Sequence, residues 1–380
     1  MKIAVIIGTR PEMIKMWSII RLLQERGINY LLIHTGQHYS ANMKDVFFHS
    51  LHLPKPHYNL NVGSDTQGRQ IALMLRRIGE MLAKEKPELV MIQGDTNTVL
   101  AGALAASKLA LKLDIKVAHV EAGLRSFDCT MPEETGRIIA DHASDYLFAP
   151  TNIQKQNLLY EGVSPEKIYV VGNSIADAVK EHLHLIQGGE YLHKHSLQKQ
   201  NYFLVTMHRV ENTDNCDKLK QLLDSLGKVY EQYKLPLFYP VHPRMKKRIK
   251  EFNLPLPPGL TLTDPLDYLE FLQLLHNAKA VLTDSGGVQE EASILRVPCI
   301  TLRNNTERPE TVQIGANIVA GTKPLSILQA IELMLSRKRE WNHPFGEGDT
   351  GKKIMDVIQK DFAKVKMLAT TTPRRPVETT

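Results

Sequence analysis

The sequence predicts an α/β protein made of two consecutive doubly wound units, each a parallel β-sheet covered by helices, facing one another across a cleft. Three observations carry that prediction. With 380 residues, the chain exceeds what a single hydrophobic core usually serves. Short, near-continuous apolar runs alternate with segments whose apolar residues recur at helical spacing, the pattern of parallel strands buried on both faces and joined by crossover helices. One polar stretch, 188–200, interrupts the alternation, which then starts afresh.

Strands in the first unit are expected over 2–7, 30–34, 89–93, 117–121, 146–149 and 168–171. Between the first two, Met13, Met16, Trp17, Ile20 and Leu23 line one face of a helix over 12–26, a stripe that reads as core packing rather than as a cofactor site. Strands in the second unit are expected over 202–206, 237–241, 280–283, 299–302 and 317–320. The last residues, 370–380, have the composition of a disordered tail. Ligands of doubly wound sheets bind beyond the carboxyl ends of the strands, and nearly every unusual polar cluster of this chain falls at such an end.

Composition excludes several classes. A chain 43% hydrophobic and 23% charged has ample apolar material for two cores. The formal charge of +6 and pI near 9.0 favour anions such as nucleotides but are too small to mark a nucleic-acid binder. The densest basic run, RMKKRIK at 244–250, has no interleaved aromatics and reads as a solvated helix face. No apolar stretch reaches the length of a membrane span, and the opening MKIAVIIGTR is too short for a signal-peptide core. Cys129, Cys216 and Cys299 show neither paired nor metal-type spacing, which fits a reducing cytoplasm. His182, His184, His193 and His195 lack a recognised ligand spacing, so no metal is expected.

Gly8–Thr9–Arg10–Pro11 follows the first strand and opens a helix, so its backbone N–H groups, Arg10 and, a turn later, Lys15 are expected to attract phosphate. Asp284–Ser285–Gly286–Gly287 repeats that logic in the second unit, with Glu290 and Glu291 on the first turn of the helix and suited to ribose hydroxyls. Plain helix capping is the competing reading of both turns. Asp95, Glu121 and the pair Glu133–Glu134 stand on successive loops of the first unit, and such a cluster drives pKa values apart as acid–base chemistry requires. Against that, Asp95 would serve as an N-cap, and Glu121 would simply pair with Arg125 or Arg137. His119 reads as a buried structural histidine. From the second unit, His208–Arg209, His242, Arg244 and Arg308 would neutralise a diphosphate and stabilise it as a leaving group.

Taken together, the stretches GTRPE, TGQH, QGDTNTVLAG, HVEAGLRS, MPEE, FAPT, VGNS, MHRVEN, YPVHP, DYLEF, TDSGGVQEEA and LRNNTERPETV, in order from residue 8 to residue 312, resemble the non-hydrolysing UDP-N-acetylglucosamine 2-epimerases. The resemblance implies a GT-B fold of two Rossmann-like domains, 1–174 and 175–357, a C-terminal helix over 358–369 returning to the first domain, and the tail 370–380. It also implies a homodimer, no metal or other cofactor, and UDP-GlcNAc and UDP as ligands. Positions matching Arg10, Lys15, His208, Phe271, Ser285, Gly286, Gly287, Glu291 and Arg308 contact UDP in that family, with His208 also assigned to catalysis. Those matching Asp95, Glu121 and Glu133 serve the sugar chemistry. Positions matching Gln37, Arg69, Gln70 and His242 line a second, activating UDP-GlcNAc site in some bacterial members.

The chemistry suits that set. The C2 proton of N-acetylglucosamine has no neighbouring carbonyl, so UDP must leave C1 before, or nearly before, a carboxylate removes it. Elimination gives UDP and a 2-acetamidoglucal, and re-addition inverts C2 to UDP-ManNAc, a surface-polysaccharide precursor. Three features depart from the family pattern: a short connection from Glu121 to Glu133, Gly136 where Asn is common, and Leu266 where Gln is common. The short connection is shared with archaeal-type members and with epimerases of diacetamido uronic acid sugars, which form the alternative substrate class. A GT-B glycosyltransferase using UDP-GlcNAc, a hydrolysing epimerase and a non-catalytic UDP-sugar-binding regulator are the competing functions.

Overall fold

A computed structural model describes residues 1–37, 53–188 and 190–371. Two parallel sheets dominate it. The first is built from β1 (Lys2–Ile7), β2 (Asn29–His34), β3 (Tyr58–Asn59), β4 (Leu89–Gln93), β5 (Lys116–Val120), β6 (Tyr146–Ala149) and β7 (Ile168–Val170), in the order β3-β2-β1-β4-β5-β6-β7. The second comprises β8 (Phe203–Thr206), β9 (Leu237–Pro240), β10 (Leu260–Thr263), β11 (Ala280–Thr283), β12 (Cys299–Thr301) and β13 (Asn317–Val319), in the order β10-β9-β8-β11-β12-β13. Both are doubly wound sheets of the GT-B type. The order reverses between β1 and β4 in one and between β8 and β11 in the other, which creates a crevice at the strand ends of each.

The inner strands form where apolar side chains can be buried on both faces, as with Ile3–Ile7 and Leu89–Ile92, all fully buried. The edge strands β3 and β10 carry intermediate and exposed residues, and neither shows in the sequence as an apolar run. The polar interruption 188–200 contains a short helix, Glu190–Lys194.

Helix Ser174–Ile186 joins the two units. It packs on helix Arg10–Glu25 of the first and helix Tyr268–Asn277 of the second. One apolar cluster therefore runs from Val5 and Met91 through Ile175 and Val179 to Leu204 and Val281. The last helix starts at Thr350 and reaches Thr371, longer than the expected 358–369, and residues 372–380 lie outside the described residues. It starts early because buried Asp177 accepts the backbone N–H of Thr350 (3.0 Å) and Gly351 (2.7 Å), satisfying two first-turn donors. Ile354, Met355 and Ile358 then bury it against the first unit, where Arg26 reaches Asp356 at 2.8 Å.

The basic run lies on helix Pro243–Glu251, with Lys246 on Asp264 (2.7 Å), Arg248 on Glu251 (2.8 Å) and Arg244 on Asp214. Among the described residues no helix is long and apolar enough to cross a membrane, and no His, Cys, Asp and Glu cluster could hold a metal ion.

Candidate active site between the two switch points

The β1 turn is organised differently from the phosphate-binding turn expected. Buried Glu12 accepts the backbone N–H of Thr9 at 2.7 Å and that of Gly8, and also takes the Thr96 hydroxyl. The first amides of this turn are therefore committed to the protein's own carboxylate. Burial pushes Glu12 up to about 7, against the downward pull of these bonds. Arg10 reaches toward the second unit instead, donating to the Leu266 carbonyl at 2.9 Å. Burial lowers its guanidinium to about 10, while Glu291 and Asp267 act in the other direction.

At the second switch point Asp284, fully buried, accepts the backbone N–H groups of His208 (3.1 Å) and Arg209 (3.0 Å) and the Asn212 amide (3.1 Å). Burial would raise it, yet the His208 ring and these donors hold it below its ordinary range. Asp284 thus shapes the β8 turn rather than capping a helix. The His208 side chain is 51% exposed, its Nδ1 3.3 Å from Asp284. Ser285 occupies the N-cap of helix Gly286–Ile294, but its side chain makes no capping bond. A Cβ on Gly286 would fall 2.6 Å from Glu307 Oε1 and would have to displace that carboxylate, whereas one on Gly287 would meet nothing nearer than Ser285 Oγ at 4.0 Å. Because the helix starts at Gly286, Glu290 and Glu291 sit in its second turn, not its first.

Between the crevices the two units share a buried ring of charges. Glu121 follows β5 in the left-handed region, φ 70°. Its Oε2 accepts Lys15 Nζ (2.5 Å) and Gln93 Nε2 (2.6 Å), and its Oε1 accepts Arg308 Nη2 (2.6 Å). Glu290 closes the ring, accepting Lys15 Nζ at 2.8 Å, Asn173 Nδ2 at 2.9 Å and Arg308 Nε. Burial alone would lower Lys15, but Glu121 and Glu290 hold it above its ordinary value. Burial raises Glu121, with Lys15 and Arg308 opposing and Glu290 reinforcing. Glu291, pushed up by burial to about 7, lies beside Tyr268 and this ring. Lys15 is thus an ion-pair partner of the carboxylates rather than a cation at the β1 turn.

Glu121 pairs with neither arginine that the sequence offered it. Arg125 binds Asp141 (2.8 Å) and Glu161 (2.6 Å), and Arg137 binds Asp95 (2.6 Å) and Glu134 (2.8 Å). Buried His119 bridges Asp141 (2.7 Å) and the Gly94 carbonyl (2.8 Å), a structural role. Glu134 accepts the amides of Ser126 and Phe127 and fixes the loop after Glu121, while Glu133 faces Arg209 across the cleft at 3.4 Å. Arg209 also binds Glu307 (2.9 Å), which Arg303 holds from the other side (2.8 Å). Arg303 and Glu307 belong to LRNNTERPE, where charges crowd a strand end, the signal that could have marked them beside Arg308.

The model of the UDP-N-acetylglucosamine 2-epimerase family matches residues 21–359. The chain belongs to that family. It is accordingly an isomerase. A relative from Methanocaldococcus jannaschii with the same name is 52% identical over 94% of this chain and 99% of its own length. The crystal structure of an epimerase from that organism, in complex with UDP-GlcNAc and UDP, superposes with a TM-score of 0.90 at 52% identity, covering 95% of this chain and all of that one. A UDP-2,3-diacetamido-2,3-dideoxy-D-glucuronate 2-epimerase of Pseudomonas aeruginosa is 38% identical over 95% of this chain and 100% of its own.

Within this epimerase, the positions expected at a second site separate into two groups. Gln37 and Gln70 are buried behind the first switch point, where Gln37 accepts Thr98 N–H (3.0 Å) and Gln70 takes the Asn97 amide (2.8 Å). Arg69 is exposed on the adjoining helix. His242 lies in the second unit as the N-cap of helix Pro243–Glu251, lowered by burial and by the charges of His208 and Arg244. Arg244 is bound to Asp214. Phe271 packs partly buried against the shared core. At two of the three departures from the family pattern, Leu266 supplies its carbonyl to Arg10, and a Cβ on Gly136 would make ordinary contact with the Asp95 carbonyl at 3.7 Å.

Proposed function

We propose that the enzyme interconverts UDP-GlcNAc and UDP-ManNAc by eliminating UDP and adding it back. The observation that carries this reading is the meeting of Glu133 and Glu121 of the first unit with Arg209 and Arg308 of the second, beside the uncapped first turn of helix Gly286–Ile294. In the forward half the C1–O bond breaks, its electron pair leaves with UDP, and a carboxylate takes the C2 proton as the C1–C2 double bond forms. The reverse half protonates C2 from the opposite face and remakes the C1–O bond. No net oxidation occurs, so the reaction requires no redox cofactor.

Side-chain exposure divides the carboxylates. Asp95 and Glu133 are 27% and 38% exposed, each held by one arginine, and remain open to a sugar. Glu121, 3% exposed and held by two cations, orients the centre of the site. His208 and the helix amides, as donors that strengthen with developing charge, stabilise the departing diphosphate. The reading includes a homodimer, division near residue 174, and a place in surface-polysaccharide synthesis.

The test is incubation with UDP-GlcNAc in deuterated water, followed by proton NMR. UDP-ManNAc with deuterium at C2 of both sugars is expected. Free ManNAc plus UDP would assign the hydrolysing reaction instead. Absence of exchange would overturn UDP-GlcNAc as substrate and direct the assay to diacetamido uronic acid nucleotides.

A further inference from the structure

Resting on that reading, we propose that Glu290 is a positioning residue for the reaction: from the second unit it holds Lys15 and Arg308 against Glu121 and so fixes the Glu121 carboxylate when the two units meet. The contacts form a closed circuit. Lys15 Nζ lies 2.5 Å from Glu121 and 2.8 Å from Glu290, while Arg308 offers Nη2 to Glu121 at 2.6 Å and Nε to Glu290. Each unit supplies one cation and one carboxylate. Lys15–Glu121 lies within the first and Arg308–Glu290 within the second, whereas Lys15–Glu290 and Arg308–Glu121 cross between them. If the units separate, each keeps a neutral pair, so opening strands no uncompensated buried charge. What opening does remove is one of the cations defining the Glu121 carboxylate.

A purely stabilising role is the weaker account. Buried ion pairs are often no more stabilising than apolar residues of similar volume, and this one is built around a residue in the left-handed backbone region. Asn173, at the start of the helix that joins the units, adds a neutral donor to Glu290 at 2.9 Å. The groups facing Glu121 are Lys15 from helix Arg10–Glu25, Gln93 from β4, Glu290 from helix Gly286–Ile294 and Arg308, with Glu291, Arg10 and Glu310 around them. Removing the Glu290 charge leaves two cations on one carboxylate, so Glu121 ionises at lower pH and its geometry slackens.

The experiment compares full-length wild type, Glu290→Gln, Glu290→Asp and Asn173→Ala in C2 deuterium exchange across pH, with UDP affinity by calorimetry. For Glu290→Gln, kcat falls about 100-fold, as a misplacement near 1 Å does, while KM and UDP affinity stay within about threefold. The acid limb of its pH profile moves to lower pH. Glu290→Asp, which keeps the charge, returns that limb to the wild-type position. Wild-type kcat and an unmoved limb in Glu290→Gln would overturn the proposal, as would a rise in KM at constant kcat, which marks a ligand contact. Should Glu290→Gln fail to fold, lowered kcat at constant KM in both other variants supports the role, and unchanged kcat in them refutes it. No exchange by the wild type refutes the epimerase reading and this role with it; exchange by the wild type with unaffected variants refutes Glu290 alone.

Discussion

Glu307 is a strict test of how the second unit holds its charges. Its carboxylate is 1% exposed and lies between Arg209 (2.9 Å) and Arg303 (2.8 Å). Burial would raise it, but Arg209, Arg308, Arg303 and Arg137 hold it far below the ordinary carboxylate range. Glu307→Gln preserves the volume and removes the charge. Arg209 retains Glu133 at 3.4 Å, but Arg303, 3% exposed, is left with Asn305 Oδ1 at 2.8 Å and Glu211 at 3.8 Å. Removing one partner of a buried pair costs about 3–5 kcal/mol. In a domain of this size that is a fall of about 10 °C in Tm. The pH dependence follows from the depressed pKa. The Glu307 contribution is complete above the unfolded carboxylate value of about 4.5 and disappears as pH falls through the lower folded value. Urea and thermal unfolding at pH 7 and pH 4 measure both effects, and Glu307→Gln with Arg303→Met recovers much of the loss by removing the stranded cation. A loss below about 1 kcal/mol at pH 7, or one that grows on acidification, would refute this account.

Three further outcomes follow from single contacts. Gly286→Ala places a Cβ 2.6 Å from a carboxylate already fixed by two arginines, and overpacking lowers stability by about 1–3 kcal/mol; Gly287→Ala, with no atom nearer than 4.0 Å, leaves stability nearly unchanged and weakens UDP binding, as melts and titration calorimetry would register. Glu310, raised by burial to about 7 with Oε1 lacking a partner, makes the folded state hold a proton the unfolded state releases; its contribution falls as pH rises from 4.5 through 7, and Glu310→Gln is more stable at pH 8 by up to about 3 kcal/mol, with a flatter pH slope in urea melts. Asp177→Ala leaves the Thr350 and Gly351 amides without their acceptor, costs about 1–2 kcal/mol, and shows as faster amide exchange at the start of the last helix.

What the sequence made legible depended on how completely each element is buried. Lys2–Ile7, Leu89–Gln93, Tyr146–Ala149 and Ala280–Thr283 agree with their expected bounds because inner parallel strands appear as apolar runs. Tyr58–Asn59 and Leu260–Thr263 form edges, and half-exposed residues leave no such run. The position of the site was legible for a topological reason, since charged residues just past a buried strand lie in the crevice wherever the strand order reverses. Their partners were not. Lys15 sits on a helix whose neighbours are core residues, and Glu290 one turn into another, so nothing local shows that they meet at 2.8 Å across the units. The β1 turn is a different case. Thr9-x-x-Glu12 has the spacing of a capping box, and that local chemistry, rather than the anion-binding potential of a strand-to-helix turn, determines where the Gly8 and Thr9 amides point.

These assignments constrain how a diphosphate can be held. Lys15, Arg137, Arg209, Arg303 and Arg308 each have a carboxylate within 2.9 Å, so the inner cations carry little charge that is not already balanced. A UDP diphosphate entering this site gains little from replacing one carboxylate by another anion on the same arginine. Donors that remain among the described residues include the Gly286 and Gly287 amides of the uncapped turn, the Ser285 N–H being given to Thr283 Oγ1 at 3.0 Å, and the half-exposed His208 ring, both at the second switch point. Backbone amides at a helix start favour anions without requiring a mobile side chain to be reordered. The division of labour is therefore asymmetric. On the proposed reaction the second unit would hold the leaving group through fixed dipoles, and the first would present Glu133, paired with Arg209 across the cleft, and Asp95, paired with Arg137 of its own unit. Substitution at Gly287 should therefore act mainly on UDP affinity, whereas those at Asp95 and Glu133 act on C2 exchange with bound UDP largely unaffected.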